Sequence, residues 1–262
     1  MRKIVTLTTD FGLSDSFVGI MKGVMLSIDP DIIFVDITHE IPPQDIIAGA
    51  ICLHSIRESF PQGTVHLAVV DPGVGTERNP VIVKTERYFY VGPDNGIFTL
   101  ISPEIKKVVK ISKSEFVARN PSATFHGRDI FAPVAARLFS TPIEKFGESL
   151  DGVSMLPIPL PGIKGGVIEG EIIYVDRFGN LFTNITSEYL LNPFPDSVSV
   201  KREILIGSTK IETLSASYSE GGEGALAAII NSFGYMEIYI KNGNAKSKYG
   251  YGKGERVSVR TV

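Results

Sequence analysis

Along the first half of the chain, short apolar runs alternate with stretches whose apolar residues recur every three or four positions. Residues 3–9, 32–37 and 65–70 are such runs, for example Ile4-Val5-Thr6-Leu7 and Leu67-Ala68-Val69-Val70, and their length predicts buried strands. Between them, Phe17, Ile20, Met21, Val24, Met25 and Ile28 predict a helix over 15–28, capped by Ser14 or Asp15. A second helix is predicted over 45–55, after the break at Pro42-Pro43. Strands alternating with helices predict an α/β domain on a mostly parallel sheet with helices on both faces. Residues 81–85 and 88–91 then read as a hairpin, 93–96 as a turn, 97–101 as the start of a short helix and 131–139 as another helix.

The pattern changes over 148–166. Met155-Leu156-Pro157-Ile158-Pro159-Leu160-Pro161-Gly162 is too rich in proline for a helix or a central strand. Beyond it, short runs at 170–175, 181–185, 198–206, 210–213, 225–230, 235–240 and 256–262 alternate with turns. That rhythm predicts an all-β domain, a small sandwich or barrel. The expected organisation is an α/β domain over 1–150, a proline-rich linker over 151–166 and a β domain over 167–262.

A formal net charge of -3 leaves no basic excess for nucleic acid. No apolar run is long enough to span a membrane. The chain enters its first strand without an apolar leader, so a cytoplasmic location is expected. The single Cys52 can form neither an intrachain disulfide nor a zinc cluster and reads as a small buried hydrophobe. No metal is assigned, because no HExxH or carboxylate-rich ligand spacing occurs.

Three runs end in an acidic residue with glycine close behind: Asp10-Phe11-Gly12, Asp71-Pro72-Gly73-Val74-Gly75 and Asp176-Arg177-Phe178-Gly179-Asn180. Ligands of open α/β sheets bind at the carboxyl ends of strands. Carboxylates there suggest a small polar ligand, hydroxylated or cationic. Asp10 reads equally as a turn former or as an acceptor for a diol. Asp71 and Arg78 can fold across their loop as a pinning salt bridge, and the loop lacks the Gly-Lys-Ser/Thr ending of a phosphate site. Of four histidines, His54 and His66 read as packed residues and His39 stays open. His126, beside Gly127 at a helix start, is the best placed for chemistry, with Asp129 expected to cap or charge that helix. The turns at 231–235 and 241–244 bind nothing by themselves.

Six stretches taken in order carry more information than each alone. They are Thr9-Asp10-Phe11-Gly12-Leu13-Ser14-Asp15, Asp71-Pro72-Gly73-Val74-Gly75-Thr76, Pro93-Asp94-Asn95-Gly96, Phe125-His126-Gly127-Arg128-Asp129, Asp176-Arg177-Phe178-Gly179-Asn180 and Asn231-Ser232-Phe233-Gly234-Tyr235. Together they resemble the S-adenosyl-L-methionine (SAM) hydroxide adenosyltransferases, the SAM hydrolases related to fluorinase and chlorinase enzymes. The resemblance implies in-line attack of water or hydroxide on ribose C5′ of SAM, giving adenosine and L-methionine, with no metal or cofactor. It also implies a homotrimer with interfacial active sites, the ligand lying between the N-terminal domain of one subunit and the C-terminal domain of its neighbour.

Residue by residue, the resemblance implies that Asp10 holds both ribose hydroxyls, with Asp15 in the adjoining loop. Phe178 and Tyr218 flank the adenine, while Asn180 and the backbone near Asn242 and Gly243 read its edge. Asp176 and Ser232, with the backbone of Phe233, take the amino and carboxylate ends of methionine. Asp71, Arg78 and His126 form a polar triad around the attacking water. The halogenase relatives carry hydroxyl side chains around their halide, where this chain places Asp71, Val74 and Gly127; a carboxylate there repels an anion. A non-catalytic adenosine- or SAM-binding protein would need Asp10, Phe178 and Asn180 but not the triad, which favours an enzyme.

Overall fold

The structure, a computed structural model, describes residues 2–191, 202–211 and 214–261. It divides into two units, Met1–Leu156 and Pro157–Val262.

In the first unit, β1 (Ile4–Thr9), β2 (Ile33–Thr38), β3 (Val65–Val69), β4 (Pro80–Lys84), β5 (Phe89–Pro93), β6 (Lys107–Lys110) and β7 (Ser149–Leu150) form one sheet in the order β2-β1-β3-β5-β4-β6-β7. The pairs β1–β2, β1–β3 and β3–β5 are parallel; β4–β5, β4–β6 and β6–β7 are antiparallel. The sheet is therefore mixed rather than mostly parallel. The hairpin predicted around Glu86-Arg87 is the reason: β5 enters beside β3, and its partner must then return in the opposite sense.

Every residue of β1 is buried, so both faces of the sheet are covered. Val5 and Leu7 join a core with Met21 and Met25 of α1 (Phe17–Ile28) and Val134 and Ala135 of α3 (Ala132–Arg137). Between those two in chain order, α2 (Ile46–Ser55) starts at Asp45, whose side chain accepts from Ala48 N–H as an N-cap. The cap of α1 is Ser16 rather than Ser14 or Asp15, and it makes no side-chain capping bond. The helix expected over 131–139 is shorter, and a π turn at Gly127–Phe131 leads into it. Asp129 does not cap that turn but places its charge in the first turn, the second of the two expected roles. The short helix expected near 97 is a 3-10 turn at Thr99–Glu104. Burial pushes the Cys52 thiol up to about 11, in keeping with an unreactive packed side chain.

In the second unit, β8 (Gly162–Lys164) and β16 (Arg256–Thr261) pair with the first half of β9 (Val167–Val175), and β10 (Leu181–Thr186) pairs with its second half. The full path is β12-β11-β16-β9-β10-β15-β14-β13, where β11 is Arg202–Ile206, β12 Thr209–Ile211, β13 Leu214–Ser215, β14 Leu226–Ile230 and β15 Tyr235–Ile240. The unit is not purely β, since α4 (Ser187–Leu191) and α5 (Ala245–Tyr249) are single helical turns, too short to leave a period in sequence. The expected strand residues 198–201 and 212–213 lie outside the described residues. Ile172, Leu181, Ile204, Ile238 and Val257 anchor this unit's own core. Among the described residues no helix is long and apolar enough to cross a membrane.

Candidate functional site

Thr9 of β1 and Val69 of β3 are register partners, so Asp10 and the loop that starts at Asp71 leave the same end of the parallel strands. Phe11, next to Asp10, packs edge-on against Phe125, next to His126, with ring centroids 6.2 Å apart; Phe17 completes the cluster at 5.4 Å from Phe125. Three loops from distant sequence thus meet at one end of the parallel strands. Gly75 closes them tightly: its φ is +78°, and a Cβ there would lie 2.4 Å from the carbonyl oxygen of Ala123.

Within this meeting point, Arg78 Nε donates to Asp71 Oδ1 at 3.0 Å and Nη2 to Asp71 Oδ2 at 2.5 Å, a two-pronged pair. The same Nη2 lies 2.6 Å from His126 Nδ1. Arginine only donates, so Nδ1 accepts and the ring proton of neutral His126 sits on Nε2. Burial and the Arg78 charge both lower the His126 pKa, keeping the ring neutral at pH 7. The Asp71 and Arg78 side chains are 4% and 9% exposed. Arg78 Nη1 is buried and has no hydrogen-bond partner among the described residues. The His126 loop is pinned by Asp129, which accepts from Ser122 N–H at 2.8 Å and pairs with Arg128.

Asp10 Oδ2 accepts the backbone N–H of Gln44 at 2.8 Å, leaving Oδ1 for a ligand. Asp15 is exposed. His39 is buried, with Nδ1 2.8 Å from Thr9 Oγ1 and Nε2 3.0 Å from Asp36 Oδ1, and its carbonyl accepts Gly12 N–H. The histidine left open by sequence therefore braces the Asp10 loop. His66 is buried against Tyr88 and Tyr90, each 4.8 Å away, as a packed residue. Asn95 donates to Val70 O at 2.8 Å, which makes the Pro93–Gly96 motif a clasp on the end of β3.

The second unit holds a cleft of about 720 Å³. Asp176, Phe178, Asn180, Tyr218, Ser232, Phe233, Asn242 and Gly243 all line it. The turn after β9 is closed by Asn180 N–H on Asp176 Oδ1 at 2.8 Å and by Asn180 Nδ2 on Asp176 Oδ2 at 3.2 Å. Gly179 has φ +82°, and a Cβ there would fall 2.1 Å from Asn244 Oδ1. The turn leaves the Phe178 ring 75% exposed, an apolar plate with no aromatic ring stacked on it among the described residues. Asn231 Oδ1 accepts the N–H groups of Phe233 and Tyr235. The Phe233 N–H is thus committed to the turn, as is that of Gly243, which donates to Ile240 O. Sequence reasoning missed Glu237, which is 1% exposed and also lines the cleft. Its only signal was a lone acid inside the apolar run Tyr235-Met236-Glu237-Ile238. Among the described residues no cluster of histidine, cysteine and carboxylate side chains is arranged to hold a metal.

Two family models cover most of the chain: the SAM hydroxide adenosyltransferase N-terminal domain over residues 5–147 and its C-terminal domain over 170–258. Curated proteins called (R)-S-adenosyl-L-methionine hydrolase align from Methanocaldococcus jannaschii, 37% identical over 90% of this chain and 87% of that one, and from Salinispora tropica, 34% identical over 97% of each. A fluorinase of Actinoplanes sp. is more distant, 28% identical over 90% of each chain. The crystal structure of an uncharacterized conserved protein from Thermotoga maritima superposes with a TM-score of 0.88, at 34% identity, over 98% of this chain and 99% of that one.

Proposed function

The chain belongs to the SAM hydroxide adenosyltransferase family and hydrolyses SAM to adenosine and L-methionine; we propose that Asp71, Arg78 and His126 place the water that attacks C5′. The observation that carries this is the Arg78 fork, which joins Asp71 and His126 into one buried hydrogen-bonded cluster.

The chemistry asks little of an acid and much of placement. Sulfur leaves SAM as a neutral thioether, so departure needs no proton. The water oxygen bonds to C5′, the C5′–S bond breaks with its electron pair going to sulfur, and one water proton is released. An in-line nucleophile, held and partly stripped of solvent, supplies most of what the reaction lacks. Arg78, through Nε and Nη2, fixes the Asp71 and His126 side chains around that oxygen. Neutral His126 offers Nε2–H as a donor and has no free acceptor, because Nδ1 already receives Arg78. The remaining lone pairs of Asp71 are then the acceptors for the proton that leaves.

Asp10 Oδ1 takes the ribose diol, and Phe178 with Tyr218 flanks adenine. Asp176 and Ser232 take the methionine head. The substrate carries its own leaving group, so no cofactor or metal enters. We further propose a homotrimer with active sites at its subunit interfaces and a cytoplasmic location; light scattering on a sizing column tests the former.

The deciding experiment is incubation with SAM in ¹⁸O-labelled water, followed by chromatography and mass spectrometry. Adenosine labelled at its 5′-oxygen, with methionine, is expected. Unlabelled adenosine overturns displacement by water, and tight nucleoside binding with no product reduces the triad to a structural ion pair.

A further inference from the structure

Glu237 sits in β15, opposite Phe182 of β10 and Ile229 of β14. Its carboxylate accepts Tyr218 Oη–H at 2.8 Å and Asn231 Nδ2–H at 3.0 Å, and the nearby Asn180 amide favours its charged form. Among the described residues it pairs with no lysine, arginine or histidine. A carboxylate buried without a cation is costly unless hydrogen bonds replace its hydration, and such bonds also serve to fix the groups that donate them.

That effect is visible at Asn180. The Asn180 amide nitrogen donates to Asp176 Oδ2 at 3.2 Å, and the same amide favours the charged Glu237 carboxylate, so two carboxylates bear on its orientation. Turning the amide over would set its carbonyl oxygen against both. The orientation is therefore locked, and the carbonyl oxygen is what Asn180 can offer the cleft. A fixed acceptor matches the 6-amino group of adenine and opposes the 6-oxo group of hypoxanthine or guanine.

We propose that Glu237 is a positioning residue that makes the site selective for 6-aminopurines, by locking the Asn180 amide between itself and Asp176. This rests on the reading that adenine lies against Asn180. A buried acceptor left facing another acceptor costs far more than a missing methyl group.

The test is calorimetric binding of adenosine, purine riboside and inosine, nucleosides that differ at position 6 and, in inosine, by the proton on N1. The protein is expected to bind adenosine best, purine riboside less well and inosine about a hundred-fold more weakly. In Glu237→Gln the new side chain can present a donor or an acceptor, Asn180 is free to turn, and the adenosine-to-inosine ratio should shrink at least about ten-fold. A merely structural role would weaken all three nucleosides together and leave the ratio unchanged. Should that variant not fold, Glu237→Asp keeps the charge, loses the reach and is expected to shrink the ratio likewise. Equal binding of adenosine and inosine by the unaltered protein overturns this proposal alone, as does an unchanged ratio in either variant. Binding of neither nucleoside overturns the adenine reading and this proposal with it.

Discussion

The carboxylates at the candidate sites of the two units are held in opposite ways. In the first, Asp71 is matched by the two-pronged Arg78, so the cluster carries its own compensating charge. In the second, Asp176 and Glu237 are held by neutral donors, Asn180, Asn231 and Tyr218. The first arrangement suits a neutral water, which needs oriented donors and acceptors more than net charge. The second leaves negative charge unspent, and a sulfonium substrate with an ammonium group is what it would attract.

Breaking the first arrangement should have the largest effect. Arg78→Ala strands the Asp71 carboxylate and removes the hold on His126. We expect kcat to fall about 10³-fold or more and stability to fall by about 3–5 kcal/mol, measured by single-turnover assay and urea melts. A variant with full kcat would end the water-placing role.

The second arrangement should break through binding instead. Asp176→Asn removes one of the cleft's two carboxylates and leaves one of the two oxygens that accept from Asn180, so KM for SAM should rise about ten- to a hundred-fold with kcat less affected. Steady-state kinetics at two salt concentrations checks this, and an unchanged KM would mean the cleft's charge is not used. Phe178→Ala should raise KM roughly ten-fold through lost stacking. The melting temperature should hardly move, because that ring packs on little of the protein.

The smallest effect sharpens the contrast through pH. Burial lowers the His66 pKa to about 3. Between the unfolded value of about 6.5 and that pKa, the unfolded chain binds the extra proton, so the first unit loses stability as pH falls, by about 2 kcal/mol at pH 5. Burial instead raises the Glu237 pKa. Below the ordinary glutamate range this group costs nothing, and stability in the second unit is lost as pH rises through its raised pKa. Calorimetric melts from pH 4 to 7 should show the two dependences with opposite sign, and His66→Gln should flatten only the first. Parallel dependences would contradict the assignment.

What sequence could reveal was local. Strand ends at Asp10, Asp71 and Asp176 show in the runs before them and the glycines after them, because turn chemistry is written within a few residues. The hairpin that makes the sheet mixed was legible, but its insertion beside β3 and the added strands β6 and β7 were not, because periodicity sets which residues are buried, not which strands pair. The π turn at Gly127–Phe131 was hidden because a single turn leaves no period in sequence. Glu237 was hidden for a different reason. Its partners Tyr218, Asn231 and Asn180 come from three other segments, and alternation alone would have sent an acid in β15 to solvent.

The turn at Gly179 ties distant segments of the second unit to one fate. Its carbonyl accepts Lys246 N–H in α5, and its missing side chain is the space that Asn244, the cap of that helix, occupies. Because φ at Gly179 is also positive, trimming Asn244 cannot make room for a larger residue there. Mutational drift at this corner is therefore confined from both sides. A lineage can vary the faces of Phe178 and its neighbours to alter what the cleft stacks, but the glycine beneath them is an inheritance it cannot trade.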